Sequence, residues 1–178
     1  MRIVSGKLKG RQIPVRKNFS ARPTTDFAKE SLFNILNNYF DFDDTTVLDL
    51  FAGTGSISYE FASRGCKKIV AVEKEYRSYD FIRQTTRNLN LGSIQVVKVD
   101  AFSFIEKCTE SFEIVFADPP YQMTNLKEIP DLVLRGNVLK PGGWFVLEHG
   151  SDNNFNGHNG FREMRNYGGV HFSIFVKE

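Results

Sequence analysis

Cysteine is scarce: Cys66 and Cys108 are the only two in 178 residues. They stand far apart, lack the spacing of a metal-ligand pair, and are read as packing residues rather than as a disulfide. The histidines, His149, His158 and His171, are equally scattered and form neither a metal-binding nor a catalytic-triad pattern. No metal is expected. Long apolar runs are missing as well. No segment could cross a bilayer, and Met1-Arg2-Ile3-Val4-Ser5-Gly6-Lys7 lacks the apolar core of a signal peptide, so the sequence predicts a cytoplasmic protein without a membrane partner. Neither repeats nor linker-like composition interrupt the chain. With 41% hydrophobic residues and 17 phenylalanines, intrinsic disorder is excluded. The length suits one domain, 1–178, able to bury about two-thirds of its unfolded surface.

Acid is the next absence. Residues 1–22 hold seven basic side chains (Arg2, Lys7, Lys9, Arg11, Arg16, Lys17, Arg22) and no acidic one, leaving 16 basic against 21 acidic residues in 23–178. A basic arm on a mildly acidic body suits a polyanion, whose counterions would be released on binding. The β-branched residues and two glycines within 2–13 predict a small twisted hairpin that gathers these charges. Lys7, Lys9, Arg11, Arg22 and Thr24 are the candidate substrate contacts.

After the arm, Thr25 or Asp26 is expected to cap a helix from about Phe27 to about Phe40, with Leu32, Phe33, Ile35, Leu36 and Tyr39 as its apolar face. From Thr46 strands alternate with helices, the signature of a parallel sheet covered on both faces. Strands are predicted over 47–51, 68–73, 94–100, 112–117 and 144–148, and helices over 56–64, 75–91, 101–107 and 130–135. Gly142-Gly143 should turn the chain into the fifth strand. The Asn- and Gly-rich stretch 151–160 is a loop, and 162–167 with 170–176 should form a closing antiparallel hairpin.

Two motifs fall at strand ends. Asp49-Leu50-Phe51-Ala52-Gly53-Thr54-Gly55 joins a strand to a helix, and Glu73 ends the next strand about 20 residues on, the layout of a nucleotide-type site. The glycines admit a ligand to the backbone, and the acid can hold ribose hydroxyls. A dinucleotide would want a third close glycine, where this chain has Ser58, and Asp49 disfavours a pyrophosphate. S-adenosylmethionine (SAM) carries a cationic ammonium and sulfonium instead, and an acid is compatible with both. Asp100 could accept from the adenine amine, with Ala101 and Phe102 lining the base. Lys74 completes the candidate cofactor set of Asp49, Phe51, Ala52, Gly53, Gly55, Glu73, Asp100, Ala101 and Phe102.

The second motif, Asp118-Pro119-Pro120-Tyr121, follows the apolar run 112–117. The Asp118 carboxylate and the Pro119 carbonyl can accept both hydrogens of an exocyclic amine, two prolines stiffen the backbone, and Tyr121 can stack on the ring that carries the amine. These four are the candidate catalytic residues, and a nucleobase is the inferred ligand.

Together these stretches resemble a class I SAM-dependent methyltransferase, and more narrowly the RsmD family. The likeness covers nearly the whole chain: the Gly-rich arm, Arg22-Pro23-Thr24-Thr25-Asp26, Leu32-Phe33-Asn34, the Asp49–Gly55 motif, Glu73, Asp118-Pro119-Pro120-Tyr121 and the closing hairpin. The resemblance implies a Rossmann-like, seven-stranded, mostly parallel sheet of order 3-2-1-4-5-7-6 with helices on both faces and an antiparallel seventh strand. It further implies methylation of a guanine N2 in bacterial 16S ribosomal RNA, within an assembling small subunit; a monomer is expected. A DNA adenine or cytosine amine methyltransferase, a nicotinamide-dependent oxidoreductase and a non-catalytic RNA-binding module remain as rivals, while protein glutamine methyltransferases resemble this clamp but with Asn in place of Asp118. The first usually carries an added recognition region for which this chain has little room, Ser58 and Asp49 oppose the second, and the complete amine clamp opposes the third.

Overall fold

The computed structural model describes residues 1–15 and 24–178. Seven strands, β1 (Thr46–Leu50), β2 (Lys68–Glu73), β3 (Ile94–Lys98), β4 (Phe112–Ala117), β5 (Leu139–His149), β6 (Phe161–Tyr167) and β7 (Val170–Val176), form one sheet ordered β3-β2-β1-β4-β5-β7-β6. The first five pair in parallel, and β7 runs antiparallel to both β5 and β6. Runs such as Val47-Leu48 and Ile114-Val115-Phe116 are apolar on both faces because helices cover both. On one face α1 (Asp26–Leu36), α2 (Ser56–Ser63) and α3 (Tyr76–Asn88) bury Leu32, Phe61 and Ile82 with Val47, Ile114 and Val146; on the other α4 (Ala101–Lys107) and α5 (Ile129–Arg135) bury Ile105 and Val133 with Leu48, Val115 and Phe145.

Local chemistry places the helix starts. Thr25 Oγ1 accepts from the Ala28 amide at 3.2 Å, Glu75 from Ser78 at 2.7 Å, and Asp100 from Phe102 at 3.0 Å, each satisfying an otherwise unpaired first-turn donor.

Several boundaries differ from expectation. α1 stops at Leu36, where Asn37-Asn38 turn the chain instead of carrying the helix to Phe40. α3 ends at Asn88, and Asn90 then takes φ 53°, a left-handed conformation that stops propagation. β3 ends at Lys98, which frees Asp100 to cap α4. β5 begins earlier than predicted, with Gly142-Gly143 inside it as a bulge rather than before it. A side chain at Gly143 would sit 2.8 Å from the Lys140 carbonyl oxygen and 2.9 Å from that of Glu113, so only glycine fits.

The expected N-terminal hairpin is present in short form among the described residues: Arg2 and Gln12 form an antiparallel bridge, flanked by the cross-strand bonds of the Ile3 amide to the Arg11 carbonyl at 3.1 Å and of the Ile13 amide to the Met1 carbonyl at 2.9 Å. The hairpin also docks on α2. The amides of Val4 and Ser5 donate to the Glu60 carboxylate at 2.8 and 3.0 Å, and the Lys7 amide to the Ser63 carbonyl at 2.7 Å. Gly6, at φ 80°, lies so close to Ser63 that an added Cβ would be 2.0 Å from its carbonyl oxygen.

Candidate active site

Parallel strands deliver their carboxyl ends to one edge of the sheet, where the chain must turn into the next helix. Asp49 near the end of β1, Glu73 ending β2, Asp118 just past β4 and Glu148 near the end of β5 all arrive there.

At β1 the chain leaves the strand through Phe51 at φ 60°, a strained conformation for an aromatic residue, followed by Gly53 at 57° and Gly55 at 81°. The turn is held by the Ala52 amide on the Val72 carbonyl (2.9 Å) and the Gly53 amide on Glu73 Oε2 (2.8 Å). Any side chain at Gly55 would meet the Tyr59 ring at 2.7 Å. Glu73 Oε1 accepts from the Glu75 amide at 2.8 Å. Each Glu73 oxygen keeps acceptor capacity for a hydroxyl. Nearby, the Phe51 and Phe102 rings meet edge to face at 6.2 Å, Ala101 is buried, and Lys74 Nζ lies 3.7 Å from Asp100 Oδ2. Asp100 therefore both caps α4 and answers a lysine.

Asp49 is 1% exposed, and its side-chain partner among the described residues is the Ser58 hydroxyl, donating at 2.5 Å. Burial pushes its carboxyl up to about 7; the Ser58 contacts oppose this, and the charge of Glu73 adds to it. Ser58, expected only to replace a glycine, thus proves to be the partner of this acid.

In the Asp118-Pro119-Pro120-Tyr121 segment, Pro119 is buried, Pro120 and Tyr121 are exposed, and the Pro120 carbonyl accepts from the Met123 amide at 2.8 Å. Burial first, then the charges of Glu148 and Asp49, hold the Asp118 carboxyl well above the usual range.

Glu148 is the residue that sequence reasoning missed. The sequence pattern marks it only as the end of a strand, yet it is 3% exposed and accepts from Thr24 Oγ1 at 2.9 Å and from the Tyr121 hydroxyl at 3.1 Å. Burial raises its pKa too, against those two hydrogen bonds. One signal could have found it: an acid ending an apolar strand next to the strand that ends in Asp118. Thr24, expected to touch substrate, is buried and donates its hydroxyl to Glu148, since a buried carboxylate needs a donor. His149 points to the opposite face of β5, where burial lowers its pKa and Ser173 Oγ and the Gly150 carbonyl sit at 2.8 Å each.

The basic arm is only partly brought to this edge. Met1, Arg2 and Gln12 border a cavity of about 610 Å³ with Thr24, Asp26 and Ser56. Lys7 and Lys9 are exposed at the Ser63 end of α2, about 10 Å along the helix from Ser56. Arg11 is exposed on the return of the arm. Arg22 lies outside the described residues. Among the described residues no group of three or more His, Cys, Asp or Glu could hold a metal ion, and no helix is long and apolar enough to cross a membrane.

A family model described as Conserved hypothetical protein 95 matches residues 1–176. The chain is 35% identical to a "Putative rRNA methyltransferase YlbH" of Bacillus subtilis, over 84% of this chain and 82% of that protein. It is 32% identical to "Ribosomal RNA small subunit methyltransferase D" of Escherichia coli K12, over 83% and 71%. Among solved structures, a "putative methyltransferase yhhF" of Escherichia coli superposes with a TM-score of 0.86 at 28% identity, covering 100% of this chain and 98% of the other. With the family model spanning almost every residue and relatives above 30% identity over most of both chains, this chain belongs to the RsmD family of methyltransferases.

Proposed function

We propose that this protein is a SAM-dependent methyltransferase that modifies the exocyclic N2 amine of a guanine in small-subunit ribosomal RNA. One observation carries the reading. Asp49 and Glu148 are buried at the strand ends beside Asp118, their side-chain partners among the described residues are hydroxyls rather than cations, and Asp118 faces the charges of both. Buried acids left in this state call for a cationic ligand. The donor set fits SAM: Asp49 would answer its positive charge, Glu73 would accept from ribose hydroxyls, and Asp100 and Phe102 would hold the base. Relatives named for small-subunit ribosomal RNA support the substrate class.

Bound SAM supplies an electrophilic methyl group. The work of the chain is positioning and charge. Asp118 and the Pro119 carbonyl fix both amine hydrogens, which aligns the nitrogen lone pair, while Tyr121 supports the base plane. Asp118 would stand opposite the nitrogen and stabilise the positive charge that would develop there as the nitrogen–methyl bond formed and the sulfur–methyl bond broke. A carboxylate with a raised proton affinity is well suited to take the amine proton that must then leave. Such a clamp takes a base that is single-stranded or flipped out of its stack. The substrate is an RNA within an assembling subunit, met by a monomer whose arm contacts phosphates.

The test is nucleoside mass spectrometry of small-subunit ribosomal RNA from cells with and without the gene, followed by mapping of the position. Loss of one N2-methylguanosine supports the reading. Unchanged N2-methylguanosine overturns it, and loss of a methylated adenine or cytosine instead assigns the clamp to another base.

A further inference from the structure

We propose that Glu148 is the residue that selects guanine, by accepting the N1–H of the base whose N2 amine is held at Asp118. This inference rests on the guanine reading above and goes beyond it by naming the specificity determinant.

The geometry begins in the sheet. Ala117 of β4 pairs with Leu147 of β5 in parallel register, so the next residues, Asp118 and Glu148, stand side by side on adjacent strands, rooted about 4.8 Å apart and directed to the same face. Two acceptors in a row match the edge of guanine, where N1–H adjoins the N2 amine. Adenine and cytosine present a ring-nitrogen lone pair beside their amines. Against two neighbouring carboxylates, that lone pair is a repulsion where guanine has a hydrogen bond.

The hydrogen bonds of Glu148 sharpen the discrimination. Thr24 donates to Oε2 at 2.9 Å from a buried position, whereas Oε1 takes the Tyr121 hydroxyl at 3.1 Å, and Tyr121 is 43% exposed. Tyr121 is the more exposed of the two partners. When it turns to stack on an entering base, its hydroxyl leaves Oε1, and the buried Glu148 would lose a donor. A base with N1–H replaces that donor one for one. A base without it leaves a buried carboxylate short of a partner, the situation in which binding sites reject analogues most strongly. Tyr121 thus holds the place that guanine takes.

2-Aminopurine tests this directly, because it keeps the amine at C2 but has a bare lone pair at N1. A synthetic RNA fragment carrying either guanine or 2-aminopurine at the mapped target position is methylated under single-turnover conditions by wild type and by Glu148→Gln. Wild type is expected to favour guanine by about 10²-fold or more. In the Glu148→Gln variant the new side-chain amide can donate to a bare N1, so at saturating SAM the variant should narrow that preference at least about tenfold. The ratio of the two preferences cancels the unequal intrinsic reactivity of the amines. A preference unchanged within about threefold in the variant overturns the proposal, far short of the expected loss. So does wild type that methylates both bases equally, an outcome that needs no variant to fold. Failure of wild type to methylate guanine at all would sink the guanine reading itself.

Discussion

Two buried acidic regions lie on the same face of the sheet, and they are furnished in opposite ways. Glu60 on α2 is fully buried and surrounded by permanent donors: the amides of Val4 and Ser5, Arg64 at 2.9 Å and Lys29 at 3.8 Å. Lys29, equally buried, also donates to the Arg2 carbonyl at 2.6 Å and to Ser56 at 3.3 Å. Asp49 and Glu148 have hydroxyl partners instead, burial raises the pKa values of both and of Asp118, and neighbouring acids add to the rise at Asp49 and Asp118. An acid that meets its cation within the chain locks structure. One denied a cation stores unfavourable energy that a cationic ligand can relieve, the common condition of functional sites.

The contrast is broken most forcefully at Lys29. Replacing it by Met removes a buried cation from Glu60 and should cost about 3–5 kcal/mol of stability, which for a domain of this size lowers Tm by roughly 6–20 °C. Asp118→Asn should raise Tm in the same assay, since it removes a buried charge that no cation among the described residues answers. Two shifts of the same sign would erase the distinction between the regions.

Catalysis gives the next largest effect. Asp118→Asn keeps an acceptor and the shape of the side chain but not the charge that meets the developing cation, so single-turnover methyl transfer should fall about 10²- to 10³-fold at saturating ligands. A loss of about threefold or less would remove that charge from the mechanism.

Glu73→Ala should weaken SAM by about 1–3 kcal/mol in calorimetric titration, through lost charge-assisted hydrogen bonds. Unchanged affinity would take Glu73 out of the cofactor site.

The mildest probe is pH. The Asp49 carboxyl is raised from 3.8 to about 7, so between those values the folded chain keeps a proton that the unfolded chain has released. Its contribution therefore disfavours folding increasingly as pH rises through this window, and no further above it. A cation favours the ionised form, so SAM affinity should fall up to about tenfold for each pH unit below about 7. Asp49→Asn should flatten this dependence, and a wild-type profile already flat would separate Asp49 from the cation.

The strands, their order in the chain and both motifs were legible in the sequence, because apolar runs, glycines at tight turns and acids at strand ends are local signals. Boundaries slipped where local competition decided them, at Asn37-Asn38 after α1 and at the Gly142-Gly143 bulge. Burial of the strands on both faces likewise follows from their composition.

What the tertiary structure decided is which acids have partners. Thr24 and Glu148 are 124 residues apart, Val4 and Glu60 are 56 apart, and no spacing rule joins either pair. Sequence determines that an acid stands at the end of a strand. Whether a lysine, an amide or only a hydroxyl faces it depends on which distant segments pack over that strand end, and that difference separates the acid that holds the arm from those that await a ligand.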